Sequence, residues 1–214
     1  MVAMKRQTRP LTHRARGIAL PIVLMFMLVI TVAAGFGIRR AILGEGVTRN
    51  QLDYEVARNA AEAALRDGER DLFMLSKAST APCNRMENRP LGDAIKPPYW
   101  GSTCPNGQCY VTAEYLASGV YSTGTNPHPW WPDANNGKWG DNATTASSCS
   151  FTGGVPIGTY TGTPKIAGVA RQPEYIIEYI ARLDDPVLRV TARGFGADVN
   201  TEVVLQTYIR AALD

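Results

Sequence analysis

The sequence predicts an α+β fold, one long N-terminal helix packed across one face of an antiparallel β-sheet. Two features carry the prediction. Residues 18–76 have helical character almost throughout, first apolar and then amphipathic. Near the C-terminus, Glu174–Leu183, Val187–Gly196 and Glu202–Arg210 are rich in β-branched and aromatic residues, and turn-forming Asp184-Asp185-Pro186 and Ala197-Asp198-Val199-Asn200 separate them. Connections that short make neighbouring strands antiparallel.

Residues 1–17 precede the helix and hold Lys5, Arg6, Arg9, Arg14 and Arg16 with no acidic residue. Twenty-one uncharged residues follow, Ile18–Ile38, and then Arg39-Arg40. About 20 apolar residues in a helix cross a bilayer. The basic leader stays on the cytoplasmic side, its five positive charges outweighing the two after the run, and the rest of the chain emerges on the far side. A secretory signal has a shorter apolar region, and Ala33-Ala34-Gly35 is a poor cut site deep inside this one. An uncleaved anchor accounts for the length but not for the junction at Gly17. A cut between Gly17 and Ile18 removes the whole basic leader. Pro21 favours that cut, because a proline inside a helix strikes the carbonyl four residues earlier, here that of Gly17. In a chain starting at Ile18 that carbonyl is gone, and the missing Pro21 N–H is one of four that have no helical partner anyway.

The helix continues through 39–76 with Ala, Leu, Glu and Arg dominant. Val47, Tyr54, Val56, Ala57, Ala60, Ala61, Ala64, Leu65, Leu72 and Phe73 form its expected apolar side, opposite a charged one. Gly35, Gly37, Gly44 and Gly46 interrupt it, each costing about 1 kcal/mol relative to alanine. They serve either close helix packing in a membrane or a stretch that bends or melts when the helix leaves the bilayer.

Residues 76–170 are rich in Gly, Pro, Ser, Thr and Asn, with one expected strand at Cys109–Leu116. All four cysteines, Cys83, Cys104, Cys109 and Cys149, lie on the translocated side, where an even count in an oxidising compartment gives two disulfides in one of three connectivities. Cys104–Cys109 around the Asn106-Gly107 turn, with Cys83–Cys149, is the favoured set. Paired zinc-ligand spacings are absent. The segment 126–142 contains Trp130, Trp131 and Trp139 among prolines and asparagines. These tryptophans either pin the loop to the sheet or form a contact surface for a partner, tryptophan being enriched in interface hot spots. Asp133, Asn135, Gly137 and Asp141 faintly echo a calcium loop, but Lys138 and Thr144 stand where the sixth-position glycine and twelfth-position glutamate belong, so no metal is assigned.

The net charge of +3 belongs to the leader: removing its five positive charges from 22 Lys+Arg leaves 17 against 19 Asp+Glu, or −2. That balance removes the main support for nucleic-acid binding. Only two histidines exist. His13 leaves with the leader and His128 sits between Pro127 and Pro129, while Glu62 and Glu69 fit a solvated helix stripe. No nucleophile elbow, metalloprotease helix or phosphate loop occurs, so no catalytic residue and no cofactor is assigned.

The basic leader ending in Gly17, the uncharged helix behind it and its amphipathic continuation resemble a class III leader of type IV pilins and pseudopilins. Arg49-Asn50-Gln51-Leu52-Asp53-Tyr54-Glu55-Val56-Ala57 and Ala60-Ala61-Glu62-Ala63-Ala64-Leu65-Arg66-Asp67-Gly68-Glu69 resemble the N-terminal region of PilX-type minor pilins. So do Tyr175-Ile176-Ile177-Glu178, Val190-Thr191-Ala192-Arg193-Gly194-Phe195-Gly196 and Val203-Val204-Leu205-Gln206 the closing strands of that family. The resemblance implies a pilin-like fold in four parts: a leader over 1–17, a transmembrane and fibre-core half-helix over 18–38, an amphipathic half over 39–76 and a head over 77–214. It implies cleavage after Gly17 by a prepilin peptidase, methylation of the Ile18 amine, and a head that is periplasmic at the inner membrane before assembly and extracellular in the pilus afterwards. Implied partners are other minor pilins, the major pilin and a PilY-type tip adhesin. Most pilins carry glutamate at the fifth mature position; Ile22 stands there, which implies a place near the tip. A type II secretion tip pseudopilin and a permanently anchored adhesion or binding protein are the alternatives.

Overall fold

A computed structural model describes residues 19–74, 78–85, 100–111, 129–130, 137–140, 149–150, 152–180 and 187–210. The chain divides into two compact units, Met1–Arg49 and Asn50–Asp214. In the first, helix α1 (Ala19–Phe73) carries the uncharged run, and none of its described side chains there is buried. This is a helix long and apolar enough to cross a membrane. Gly35, Gly37, Gly44 and Gly46 are all helical, with open space around each.

The second unit begins with the last part of α1. Ala57, Ala60, Ala61, Ala64, Asp67, Gly68, Asp71 and Leu72 are buried, in steps of three and four residues that keep them on one side. The expected apolar side was broader: Val47, Tyr54, Val56 and Phe73 are exposed instead. The reason is closeness of approach. A Cβ on Gly194 would lie 2.2 Å from the Ala61 nitrogen and 2.3 Å from the Ala57 oxygen, and one on Gly68 would lie 2.7 Å from Val190 Cγ1. Where α1 meets Gly194 only small residues fit, so Ala57, Ala60 and Ala61 occupy that stretch, while farther along Leu72 has room to be buried.

The sheet contains β1 (Gln108–Val111), β2 (Val155–Pro156), β3 (Glu174–Ile180), β4 (Val187–Phe195) and β5 (Glu202–Arg210), in the order β1-β3-β4-β5 with β2 also on β3. β3, β4 and β5 form the expected antiparallel meander, with Glu178 opposite Arg189 and Val190 opposite Thr207. β1 runs parallel to β3, which makes the sheet mixed, although mostly antiparallel. β4 occupies one side of β3, so β1 and β2 share its other side end to end. The expected strand over 109–116 is β1 as far as Val111; 112–116 lie outside the described residues, as do 181–183.

Strand alternation separates two faces. Tyr175, Ile177, Leu188, Val190 and Ala192 join Ala64 and Leu72 of α1 in the main core, with Cys83, Trp100, Val155 and Tyr160. Ala57, Ala61 and Val203 form a smaller cluster. Ile176 points the other way and packs with Cys104, Cys109 and Trp139.

Candidate functional site

On the face turned away from α1, buried acids and bases pair across β3 and β4. Glu178 accepts bonds from Arg189 Nε at 2.7 Å and Nη2 at 2.6 Å, and from Thr191 Oγ1 at 3.3 Å. Glu174 accepts from Arg193 Nε at 2.5 Å and Arg171 Nη2 at 3.1 Å. The hairpin register sets this ladder, with Glu174 opposite Arg193 and Glu178 opposite Arg189. Burial pushes the Glu178 carboxyl above its usual range, against the pull of Arg189.

Aromatic rings cover the ladder. The Arg193 guanidinium lies 4.6 Å from the Trp139 ring centre and 5.2 Å from that of Phe195. Arg189 lies 5.8 Å from both Trp130 and Tyr208, close enough for cation–π attraction. Trp139 is buried, and its indole N–H donates to the Trp130 carbonyl at 3.1 Å. Trp130 is partly buried and Trp131 lies outside the described residues. Trp130 and Trp139 therefore pin their loop to the sheet, and of the two only Trp130 retains surface for a partner.

A second polar network ties α1 to the loops. Asp71 receives Arg85 Nε at 3.0 Å and the Tyr175 hydroxyl at 2.9 Å, while Arg85 stacks 3.7 Å over the Tyr160 ring and donates to the Asn106 carbonyl at 2.9 Å. Burial raises the Asp71 carboxyl despite Arg85, and burial with the nearby Asp71 charge holds the Tyr175 phenol well above its ordinary value. Tyr175 thus remains a donor. One turn earlier, Asp67 accepts the Gly158 N–H at 2.8 Å and the hydroxyls of Thr161 and Thr163. Near the start of this unit, Asp53 accepts the Ala197 and Asp198 amides of the β4–β5 turn; a side-chain bond with Thr201 is the largest influence holding its carboxyl below the ordinary value.

The cysteines form Cys83–Cys149 and Cys104–Cys109, the favoured set. Gly17, Ile18, His128, Asp133, Asn135 and Asp141 lie outside the described residues. Glu62 is partly exposed and pairs with Arg58 at 3.3 Å on the helix surface. Among the described residues, no group of three or more His, Cys, Asp or Glu is placed to hold a metal. The buried acids Asp67, Asp71, Glu174 and Glu178 were not singled out from sequence. The spacing of Glu174 and Glu178 on one strand and of Arg189 and Arg193 on the next is the signal that would have found the ladder.

Taken together, the arrangement positions loops and strands by pairing each acid with a base or with several donors. Neither the curated proteins nor the solved structures contain a significant match. Residues 100–211 match the family described as type IV pilus assembly protein PilX, C-terminal part. The match spans over half the chain and contains Trp100, the Cys104–Cys109 pair, the pinned tryptophans and all five strands. The chain belongs to the PilX family of type IV pilus assembly proteins.

Proposed function

We propose that this chain is a minor pilin that helps to prime type IV pilus assembly and sits at or near the pilus tip, supporting twitching motility and adhesion. The observation that carries this reading is the combination, in one chain, of an exposed uncharged helical span and a head that matches PilX. In this reading a prepilin peptidase cuts after Gly17 and the Ile18 amine is methylated. The head waits in the periplasm while Ile18–Ile38 lies in the inner membrane, and it becomes extracellular when the helix enters the fibre. The span exchanges lipid contacts for those of neighbouring helices, burying similar apolar surface in both states, so extraction carries little hydrophobic cost.

Ile22, where most pilins keep glutamate, supports a place near the tip, since a tip subunit has no earlier subunit to recruit it. Trp130 and Trp131 are the contact residues for a neighbouring minor pilin or a PilY-type adhesin, with the buried Trp139 holding Trp130 through the bond to its carbonyl. The protein acts as a structural component without catalytic groups. Mass spectrometry of the mature N-terminus tests the processing: methylated Ile18 is expected, and a chain still beginning at Met1 would sink the reading. Deleting the gene and scoring twitching against protein export separates a pilus role from a secretion role.

A further inference from the structure

Cys104 and Cys109 stand five residues apart and close a loop around Pro105-Asn106-Gly107-Gln108. Two overlapping turns fill it. The Gly107 N–H donates to the Cys104 carbonyl at 3.1 Å, and the Gln108 N–H donates to the Pro105 carbonyl at 2.9 Å. Asn106 and Gly107 both have positive φ, 50° and 79°, so the first turn is of type II, with proline leading, and the second is of type I′. Asparagine tolerates that left-handed backbone. Glycine is required after it, since a Cβ on Gly107 would lie 2.2 Å from Val155 Cγ2.

The turns thus require Asn-Gly, the pair in which a side-chain amide is most open to attack by the next backbone nitrogen, because glycine puts no side chain in the path. The same loop holds that nitrogen away. The Asn106–Gly107 peptide donates its N–H to Cys104, and its carbonyl accepts Arg85 Nη2 at 2.9 Å. Beyond it, the Gly107 carbonyl accepts the Ile177 N–H of β3 at 2.8 Å. Attack requires the Gly107 nitrogen to swing about the Asn106 Cα–C bond until it faces the side-chain carbonyl carbon. That rotation breaks the first two bonds, and the disulfide spanning both turns opposes it. Cys104 and Cys109 are fully buried, and the Cys104 carbonyl also accepts the Gly153 N–H at 2.8 Å, so the loop is fixed at both ends to the core around Ile176 and Trp139.

We propose that Asn106 is a latent deamidation site gated by Cys104–Cys109, a switch that turns a transient reduction into a permanent change. A dithiol, reaching the pair as the loop opens locally, is the reductant. Its first thiolate attacks one sulfur to form a mixed disulfide and its second displaces the protein, which leaves Cys104 and Cys109 as thiols and the reductant as a cyclic disulfide. In the opened loop the Gly107 nitrogen bonds to Asn106 Cγ and gives up its proton, and the side-chain amide departs as ammonia, leaving a succinimide. Water then adds to either ring carbonyl. Opening at Cγ gives aspartate, whereas opening at the Asn106 backbone carbonyl gives isoaspartate, which routes the main chain through Cβ and Cγ. A main chain lengthened by a methylene no longer fits two overlapping turns, so the cysteines do not return to their native pairing.

The test uses the full-length chain in detergent micelles, either kept oxidised or held in excess dithiothreitol and re-oxidised with glutathione disulfide after increasing times. Peptide mapping scores residue 106 by mass and by isoaspartate methyltransferase labelling, and scores reclosure of Cys104–Cys109. Deamidation in the oxidised protein is expected to be roughly tenfold slower or more, since it proceeds only from the locally opened loop. Cys104→Ser with Cys109→Ser, left unreduced so that Cys83–Cys149 stays closed, is expected to deamidate at the faster rate. Reclosure in the unmodified protein is expected to fall with time under reduction, the open fraction carrying isoaspartate. Asn106→Gly keeps the left-handed backbone and cannot deamidate, so it is expected to reclose equally well at every time. Equal rates in the oxidised and reduced protein, or full protection in the double serine variant, overturn the proposal. So does reclosure that falls alike in the unmodified protein and Asn106→Gly, or in neither.

Discussion

Gly194→Ala puts one methyl group where α1 and β4 come closest. The new Cβ lies 2.2 Å from the Ala61 nitrogen, 2.3 Å from the Ala57 oxygen and 2.8 Å from the Ala60 carbonyl carbon. Ordinary contact begins near 3.4 Å, so helix and strand must separate by about 1 Å. All three atoms belong to the helix backbone, and no side-chain rotation relieves them. Overpacking of this kind costs about 1–3 kcal/mol. Gly194 is not among the glycines with positive φ, so alanine also recovers a few tenths to about 1 kcal/mol by restricting the unfolded chain. The net expectation is a loss of about 2 kcal/mol, roughly thirtyfold in the folded-to-unfolded ratio. Urea titration of the detergent-solubilised chain measures it through the four tryptophans, all of which lie in the head. Adding Ala61→Gly should give no rescue, because the clash is with backbone. A midpoint equal to or above that of the unmodified protein, or full rescue by Ala61→Gly, would refute the packing described here.

Four further outcomes follow from the polar and covalent framework. Arg189→Met strands the buried Glu178 and is expected to cost about 3–5 kcal/mol by the same titration, whereas Arg189→Met with Glu178→Leu recovers most of it; equal losses in both variants would refute the pairing. Replacing Cys83 and Cys149 by serine opens a 66-residue separation and is expected to cost about 4 kcal/mol, against about 2 kcal/mol for Cys104 and Cys109 separated by five, so a reversed order of urea midpoints would count against loop entropy as the main effect. Asp71 and Glu178 have raised carboxyl values in the fold, so between about pH 4 and those values the folded state binds more protons and their contribution to stability grows as pH falls. Asp53 has the opposite sign: its contribution is full above the ordinary aspartate value and is lost as pH falls through its lowered one, so Asp53→Asn should flatten the acid limb of a midpoint-against-pH curve.

The helix, the three C-terminal strands and the Cys104–Cys109 disulfide were legible because each is written locally: a run of one periodicity, short turns between β-branched segments, and an Asn-Gly turn inside a five-residue cysteine spacing; Cys83–Cys149 then followed as the remaining pair. β1 was legible as a strand but its direction was not. Its partner β3 begins more than 60 residues later, and nothing within Gln108–Val111 encodes that pairing. The inward side of α1 was misjudged for a steric reason. Of the expected apolar residues, Ala57, Ala60, Ala61, Ala64 and Leu72 are buried while Tyr54 and Phe73 are exposed, and the close approach at Gly194 is what selects alanine at 57, 60 and 61. Trp139 illustrates the ambiguity of an aromatic in a proline-rich loop, since the same residue suits a partner or a pin. Its place over Arg193 and its bond to the Trp130 carbonyl make it a pin.

The charge ladder also governs how the hairpin finds its alignment. With Glu174 opposite Arg193 and Glu178 opposite Arg189, both acids meet bases. Sliding β4 by two residues keeps every side chain on its own face, yet places Glu178 opposite Thr191 or Val187 and Glu174 opposite Phe195 or Thr191. Either slip buries four charges without their cross-strand partners, a penalty that apolar patterning alone would not impose, since β-branched residues tolerate many alignments. The ladder therefore specifies the alignment of the hairpin as well as holding it together.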